Sequence, residues 1–248
     1  MVVEVAMELV GRAALVTGAS RGLGAALAAE LARQRARVVA VARGVEALEE
    51  AVATIRSEGG EAHALAADVG DKQAIYPLLG VATALVGPID LLVLNASTLG
   101  RLPMPELADT GCEEMEHVLQ VNLLGPFRLA KAVVGSMVVR GGGTVVGISS
   151  DAAVSGYPRW GAYGVSKAAL DHLLRTWAAE LADVGVRFLS VDPGEMDTRM
   201  HADAMPEAPR EGLERPEVVA RRIVEVVTSP ARWPSGTRIE ASRLSRAA

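Results

Sequence analysis

Tyr163 and Lys167 stand four residues apart in the run YGVSK, among small and apolar neighbours. On a helix, residues i and i+4 share one face. A free phenol ionises near pH ~10, too high for a base at neutral pH. An ammonium beside it favours the phenolate and pulls that value down. Such a pair can pass a proton to or from an oxygen. Taken alone, the spacing is also that of an ordinary surface Tyr–Lys pair, so other groups must converge on it. Ser150, at the end of GGGTVVGISS, offers a hydroxyl that can hydrogen-bond an oxygen as negative charge develops there.

A second group of residues points to a phosphate ligand. Thr17 to Gly24 reads TGASRGLG, between an apolar strand and a helical run. Gly18 permits a tight turn, while Gly22 and Gly24 let backbone approach a pyrophosphate and let the helix pack on the strand. The helix N-terminus adds free N–H groups and a positive dipole end. Ser20 and Leu23 lie in the same turn and are taken with it as cofactor contacts. The bland alternative is a tight strand-to-helix connection. An NAD site usually carries a carboxylate at the end of the second strand. Here the segment is VVAVARG, with Ala42 and Arg43 and no acid. Arg21 and Arg43 can grip a 2′-phosphate, which favours NADP(H) over NAD(H), unless Arg43 is merely a solvated surface arginine.

Strands are expected at Ala13 to Thr17, Arg37 to Ala42, Ala62 to Ala66, Asp90 to Leu94, within GGGTVVGISS, at Val186 to Val191 and at Thr237 to Ala241. Helices are expected at Leu23 to Gln34, Val45 to Ser57, Lys72 to Leu85, Cys112 to Val139 with a bend at Pro126, Ala162 to Asp183 and Pro216 to Thr228. Strand and helix alternate, which predicts right-handed crossovers and one doubly wound Rossmann-type α/β domain with about seven parallel strands and helices on both faces. The whole of 1–248 reads as that domain, with 1–6 as a possible extension, about 195–215 as a substrate loop and 242–248 as a tail.

Composition agrees: apolar residues make up 50% and aromatics 3% of 248 residues, so Val, Leu, Ala and Ile must fill the core, as in buried parallel strands. The net charge of −5 and the lack of a basic block argue against nucleic acid. The single cysteine, Cys112, precludes an internal disulfide, and four scattered histidines show no ligand spacing, so no metal is expected. No run is long enough to span a bilayer and the start lacks a basic leader. A cytoplasmic location without membrane contact is the expectation, with Met7 as an alternative start to Met1.

The motifs occur in order: TGASRGLG, AADV, LNAS, VNLLG, ISS, YGVSK and DPGEMDT. This succession resembles the short-chain dehydrogenase/reductase family, in its compact single-domain branch, from about Met7 to Ala241. The resemblance implies an oxidoreductase that moves a hydride between NADP(H) and a ketone or secondary alcohol. Tyr163 would be the general acid/base, Lys167 its partner and a cofactor contact, Ser150 the carbonyl-orienting hydroxyl and Asn122 part of a proton relay. Asp68 and Val69 would lie at the adenine, Asn95 and Ala96 on the cofactor side of the central strand, and Pro193, Gly194 and Thr198 at the nicotinamide end. A homodimer through the long helices, or a homotetramer, is implied as well.

The chain departs from the family pattern in LNAS, where Leu94 and Ser97 replace an Asn and a Gly, at Arg35, where many relatives have Gly, and in a C-terminus without a glycine-rich ending. These departures keep open a dinucleotide-binding sensor or scaffold, and a dehydratase or epimerase on the same scaffold. Ligands sit at the carboxyl ends of the strands, so Leu99, Asp151, Tyr157, Trp160, Glu195 and Met196 are candidate contacts for a small-molecule carbonyl or alcohol. Tyr157 and Trp160 either meet a flat substrate or close a loop onto the core. The charged, Met-bearing loop after the sixth strand has the length of a mobile lid.

Overall fold

The computed structural model describes residues 8–244. The segment 1–6, the choice between Met1 and Met7, and the tail beyond Leu244 lie outside the described residues. Seven strands form one sheet: β1 (Ala13–Thr17), β2 (Arg37–Ala42), β3 (Glu61–Ala66), β4 (Leu91–Leu94), β5 (Gly143–Ile148), β6 (Val186–Asp192) and β7 (Arg238–Glu240). Their order is β3-β2-β1-β4-β5-β6-β7, with every pairing parallel. The order reverses between β1 and β4, and the connections that follow these two paired strands run to opposite faces of the sheet, which leaves a crevice at their carboxyl ends.

Because side chains alternate across a strand, both faces of the sheet are apolar. Ala14, Val16, Val38, Ala40, Val146 and Val191 pack on one side, against α1 (Gly22–Arg33), α2 (Val45–Ser57) and α8 (Pro216–Thr228). Leu15, Val39, Leu92, Val145 and Phe188 pack on the other, against α3 (Ile75–Val86), α5 (Gly125–Val139) and α6 (Gly161–Glu180). Burying each such Leu, Val or Phe contributes roughly 1.5–3 kcal/mol, which explains how a chain so poor in aromatics holds together. The run of Ala and Gly in α1 brings its axis close to the sheet, and so brings the helix N-terminus to the crevice.

Several elements differ from the sequence expectation, and the helix expected from Lys72 begins only at Ile75. The helix expected over 112–139 is not continuous: α4 (Cys112–Leu119) passes into a π-helical turn, Gln120–Leu124, before α5 begins. Pro126 is where a bend was expected, but the irregularity lies just before it. Proline has no N–H to give the carbonyl four residues back, here that of Asn122, so the wider turn forms upstream. The loop over 195–215 contains a short helix, α7 (Arg199–Ala204). Its hydrophobic period is too brief to be seen in sequence. Finally, α6 ends at Glu180, short of Asp183.

Candidate active site

The glycine turn is built by its neighbours. The Thr17 hydroxyl donates to the Val93 carbonyl at 3.2 Å and accepts from the Asn95 and Ala96 N–H groups, each at 3.0 Å. The Asn95 amide donates back to the Thr17 carbonyl at 2.9 Å. These bonds tie the end of β1 to the end of β4. Gly18 has φ +68, and a Cβ on Gly24 would lie 2.2 Å from the Gly18 carbonyl oxygen. Only glycine fits at either place. Arg21 precedes α1 and no side chain caps the helix, whose first turn also holds no acid. The first N–H groups therefore face the crevice unsatisfied by the protein.

A cleft of about 1960 Å³ runs from this turn along the ends of β1, β4, β5 and β6. At its outer end lie Ser20, Arg21, Gly22, Leu23, Arg43, Asp68 and Val69. Arg21 and Arg43 are exposed, and among the described residues neither has an ion-pair partner. Asp68 accepts the Gly70 N–H at 2.8 Å, which shapes the turn after β3. Asn95, Ala96, Pro193, Gly194 and Thr198 line the middle. An uncapped helix end, a glycine cradle and two free guanidinium groups fit a dinucleotide phosphate, with room left over for a second ligand.

At the inner end stand Ser150, Tyr163 and Lys167, with Leu99, Asp151, Tyr157 and Trp160 near them, and Glu195 and Met196 line the same cleft. Lys167 is 2% exposed and its ammonium donates to the Ile148 carbonyl at 2.8 Å. It also lies 5.5 Å from the centre of the Tyr163 ring. Burial lowers the Lys167 pKa to about 8, and the Asp171 carboxylate one turn further along α6 works against that fall. Burial raises the Tyr163 phenol to about 12, while the Ser150 hydroxyl beside it pulls the other way. The expected fall in the Tyr163 pKa needs the ammonium together with the positive nicotinamide of an oxidised cofactor; in the protein by itself, desolvation of the phenolate sets the direction.

Ser150 occupies an extended position just before a short 3₁₀ turn, Asp151–Ala153. Its hydroxyl donates to the Asp151 carboxylate at 3.0 Å and accepts from the Ala152 N–H at 3.2 Å. Asp151 also accepts from the Tyr157 hydroxyl at 2.9 Å. Trp160 meets the Tyr163 ring edge-on, with centroids 5.6 Å apart. Asn122 is buried behind the cleft wall and does not line it. Its amide accepts from the Thr98 N–H at 2.8 Å, donates to the Thr98 carbonyl at 2.9 Å and donates to the Ser166 hydroxyl at 2.9 Å. The π turn thus fixes the strand-end segment that carries Ser97 to Leu99.

The segment over 195–215 is tied to itself and to α8. Met196 bridges to Glu214, and the Asp197 N–H donates to the Glu214 carbonyl at 2.9 Å. Arg210 pairs with Asp197, and Arg222 holds Glu214. Met196, Met200 and Met205 thereby line the cleft. Sequence reasoning did not find Ser97 as a neighbour of the phenol. Its hydroxyl is buried without a well-formed hydrogen bond, and it acts to lower the Tyr163 pKa. Its substitution for glycine was visible, but its direction was not. Among the described residues no cluster of three or more His, Cys, Asp or Glu could hold a metal, and no helix is long and apolar enough to cross a membrane.

The family model for short chain dehydrogenases matches residues 12–208. The ketoacyl reductase HetN of Nostoc sp. is 34% identical over 221 residues, covering 88% of this chain and 76% of that protein. One curated relative is much longer, and the matched stretch spans 15% of it. Among solved structures, a 7α-hydroxysteroid dehydrogenase complexed with NADH and 7-oxo glycochenodeoxycholic acid has a TM-score of 0.85 at 29% identity, covering 94% of this chain and 93% of that one. A metagenomic short-chain oxidoreductase in complex with NADP has a TM-score of 0.76 at 33% identity, covering 90% and 93%.

Proposed function

The chain belongs to the short chain dehydrogenase family, and from that premise we propose that it is an NADP(H)-dependent carbonyl reductase acting on a ketone. The observation that carries this reading is the convergence of Ser150, Tyr163 and Lys167 at one end of a cleft whose other end is the uncapped glycine turn. When bound, the dinucleotide supplies the hydride. Gly18 to Gly24, Asn95, Pro193, Gly194 and Thr198 would hold it, with Asp68 and Val69 at its adenine end. Arg21 and Arg43 would take its 2′-phosphate, and nothing acidic at the end of β2 repels that group. Solved relatives bind NADP in one case and NADH in another, so the two free arginines support the choice.

Tyr163 delivers a proton to the carbonyl oxygen. Its raised pKa keeps it protonated, ready to act as an acid at neutral pH. Ser150 turns its hydroxyl from Asp151 toward the same oxygen and stabilises the charge that develops on it. Lys167, held by the Ile148 carbonyl, keeps its ammonium beside the phenol and favours the phenolate once the proton has left. Asn122 acts from behind the wall, fixing the backbone of Thr98. The apolar side chains clustered with Tyr163 are Leu99, Met104, Ala152, Trp160 and Ala204, while Asp151 and Glu195 are exposed on the cleft lining. This suits a largely apolar ketone bearing a polar group away from its carbonyl.

The test is loss of NADPH absorbance across a panel of ketones, quinones and aldehydes. The Tyr163→Phe variant should lose turnover by 10³-fold or more, an order-of-magnitude expectation for a general acid, while binding NADPH as the parent does. NADH should serve at least about tenfold less well. Undiminished turnover in Tyr163→Phe would sink the mechanism.

A further inference from the structure

Beside the catalytic residues lies a largely buried cluster of charges that the mechanism does not use, and two of its members, Asp192 and Glu240, reach the cleft lining. Arg238, on the edge strand β7, is at its centre. Its Nε donates to Asp171 at 3.0 Å, and its Nη2 donates both to Asp192 at 3.0 Å and to the Ser150 carbonyl at 2.9 Å. Glu240 lies 3.6 Å from the remaining nitrogen. Asp171 and Asp192 are 6% and 8% exposed, and Arg238 itself 17%. These are not surface pairs, and each acceptor belongs to a different part of the site. Ser150 carries the hydroxyl at the end of β5. Asp171 follows Lys167 by one helical turn. Asp192 ends β6, and its other oxygen accepts the Gly194 N–H at 3.0 Å.

We propose that Arg238 is a positioning residue of the catalytic centre, whose planar fork fixes the Ser150 backbone and neutralises the two carboxylates beside Tyr163 and Lys167. The argument is one of charge and reach. A guanidinium presents donors in a fixed plane and can serve three acceptors at once. Two buried carboxylates without it would be costly, and breaking such a cluster from one side leaves an unpaired charge. The charges that face the phenol are Lys167 on its own helix, Asp151 at the rim and Asp192 at the end of β6, with the Ser97 and Ser150 hydroxyls beside it. Both carboxylates raise the phenol's pKa, and Asp171 raises that of Lys167. The Arg238 cation opposes this by holding Asp192 and Asp171 in pairs.

This inference rests on the reductase reading, so its test includes measurements that need no turnover. Arg238→Lys keeps the charge but cannot reach all three acceptors. It should fold, bind NADPH as the parent does and lose about tenfold in kcat, with the pH profile close to that of the parent. Arg238→Met removes the charge, and should move the Tyr163 ionisation, followed by ultraviolet difference absorbance in the full chain saturated with NADP⁺, upward by about one pH unit. Folding is checked by circular dichroism. A folded Arg238→Met with an unmoved phenol would overturn the proposal. So would Arg238→Lys with an unchanged kcat, and if Arg238→Met fails to fold, that variant decides alone. If the parent protein reduces no ketone, the reductase reading falls, and the phenol titration of the two variants decides the role of Arg238.

Discussion

At the scale of single residues, the site is governed by the cost of burying charge. Tyr163 would ionise near 10.0 in water, and its buried place in α6 raises that to about 12. Lys167 is pushed the other way, from 10.5 to about 8. In the free protein both shifts favour the neutral forms, so the acid is poised and the base is not. A positive charge brought into the cleft should reverse the first shift. Titration of the phenol by ultraviolet difference absorbance should show little ionisation of Tyr163 below about pH 11 without cofactor, and a midpoint lower by about two units with NADP⁺. The Tyr163→Phe variant, measured in parallel, subtracts the other two of the three tyrosines. A midpoint that ignores NADP⁺ would mean that the cation does not reach the phenol.

At the scale of elements, backbone irregularities fix where the reactive side chains stand. The π turn at Gln120–Leu124 aims Asn122 at Thr98 and Ser166, and places the wall behind Tyr163. Tightly placed glycines hold α1 against β1. Other irregularities are local in their effect. Arg35 adopts φ +64 at the turn between α1 and β2, where a side chain is disfavoured. Arg35→Gly should stabilise the fold by about 0.5–1 kcal/mol, the relief of strain exceeding the entropy lost by a freer unfolded chain. Chemical denaturation would show the gain as a higher midpoint, with turnover unchanged. A lower midpoint would show that the Arg35 side chain contributes more than its conformation costs. The substitution at Arg35 was legible in the sequence as a departure. The π turn was not, because α and π turns share nearly the same hydrophobic pattern over so few residues.

At the scale of the whole molecule, the sheet collects strand ends that are far apart in sequence, and stability becomes coupled to the ionisation of the site. Lys167 has a lowered pKa in the folded protein, so between pH about 8 and the ordinary 10.5 the unfolded chain holds more protons than the folded one. Stability therefore rises with pH across that window, and the cost of the buried ammonium is felt in full below it. Guanidinium denaturation at about pH 7 and about pH 9.5 should show a rise smaller in Lys167→Met than in the parent by on the order of 1 kcal/mol. An equal rise in both would mean that Lys167 does not lose its proton in that range. The sequence by itself determined the alternation of strands and helices, the glycine turn, the missing acid after β2 and the Tyr–Lys spacing, because each depends on neighbours close along the chain. Only the tertiary structure decided that Asp171, Asp192 and Arg238 meet beside Ser150, that Ser97 faces the phenol and that burial sets the direction of the Tyr163 shift in the protein by itself. Those are relations between side chains brought together by strand order, and their energies depend on how much water the fold removes.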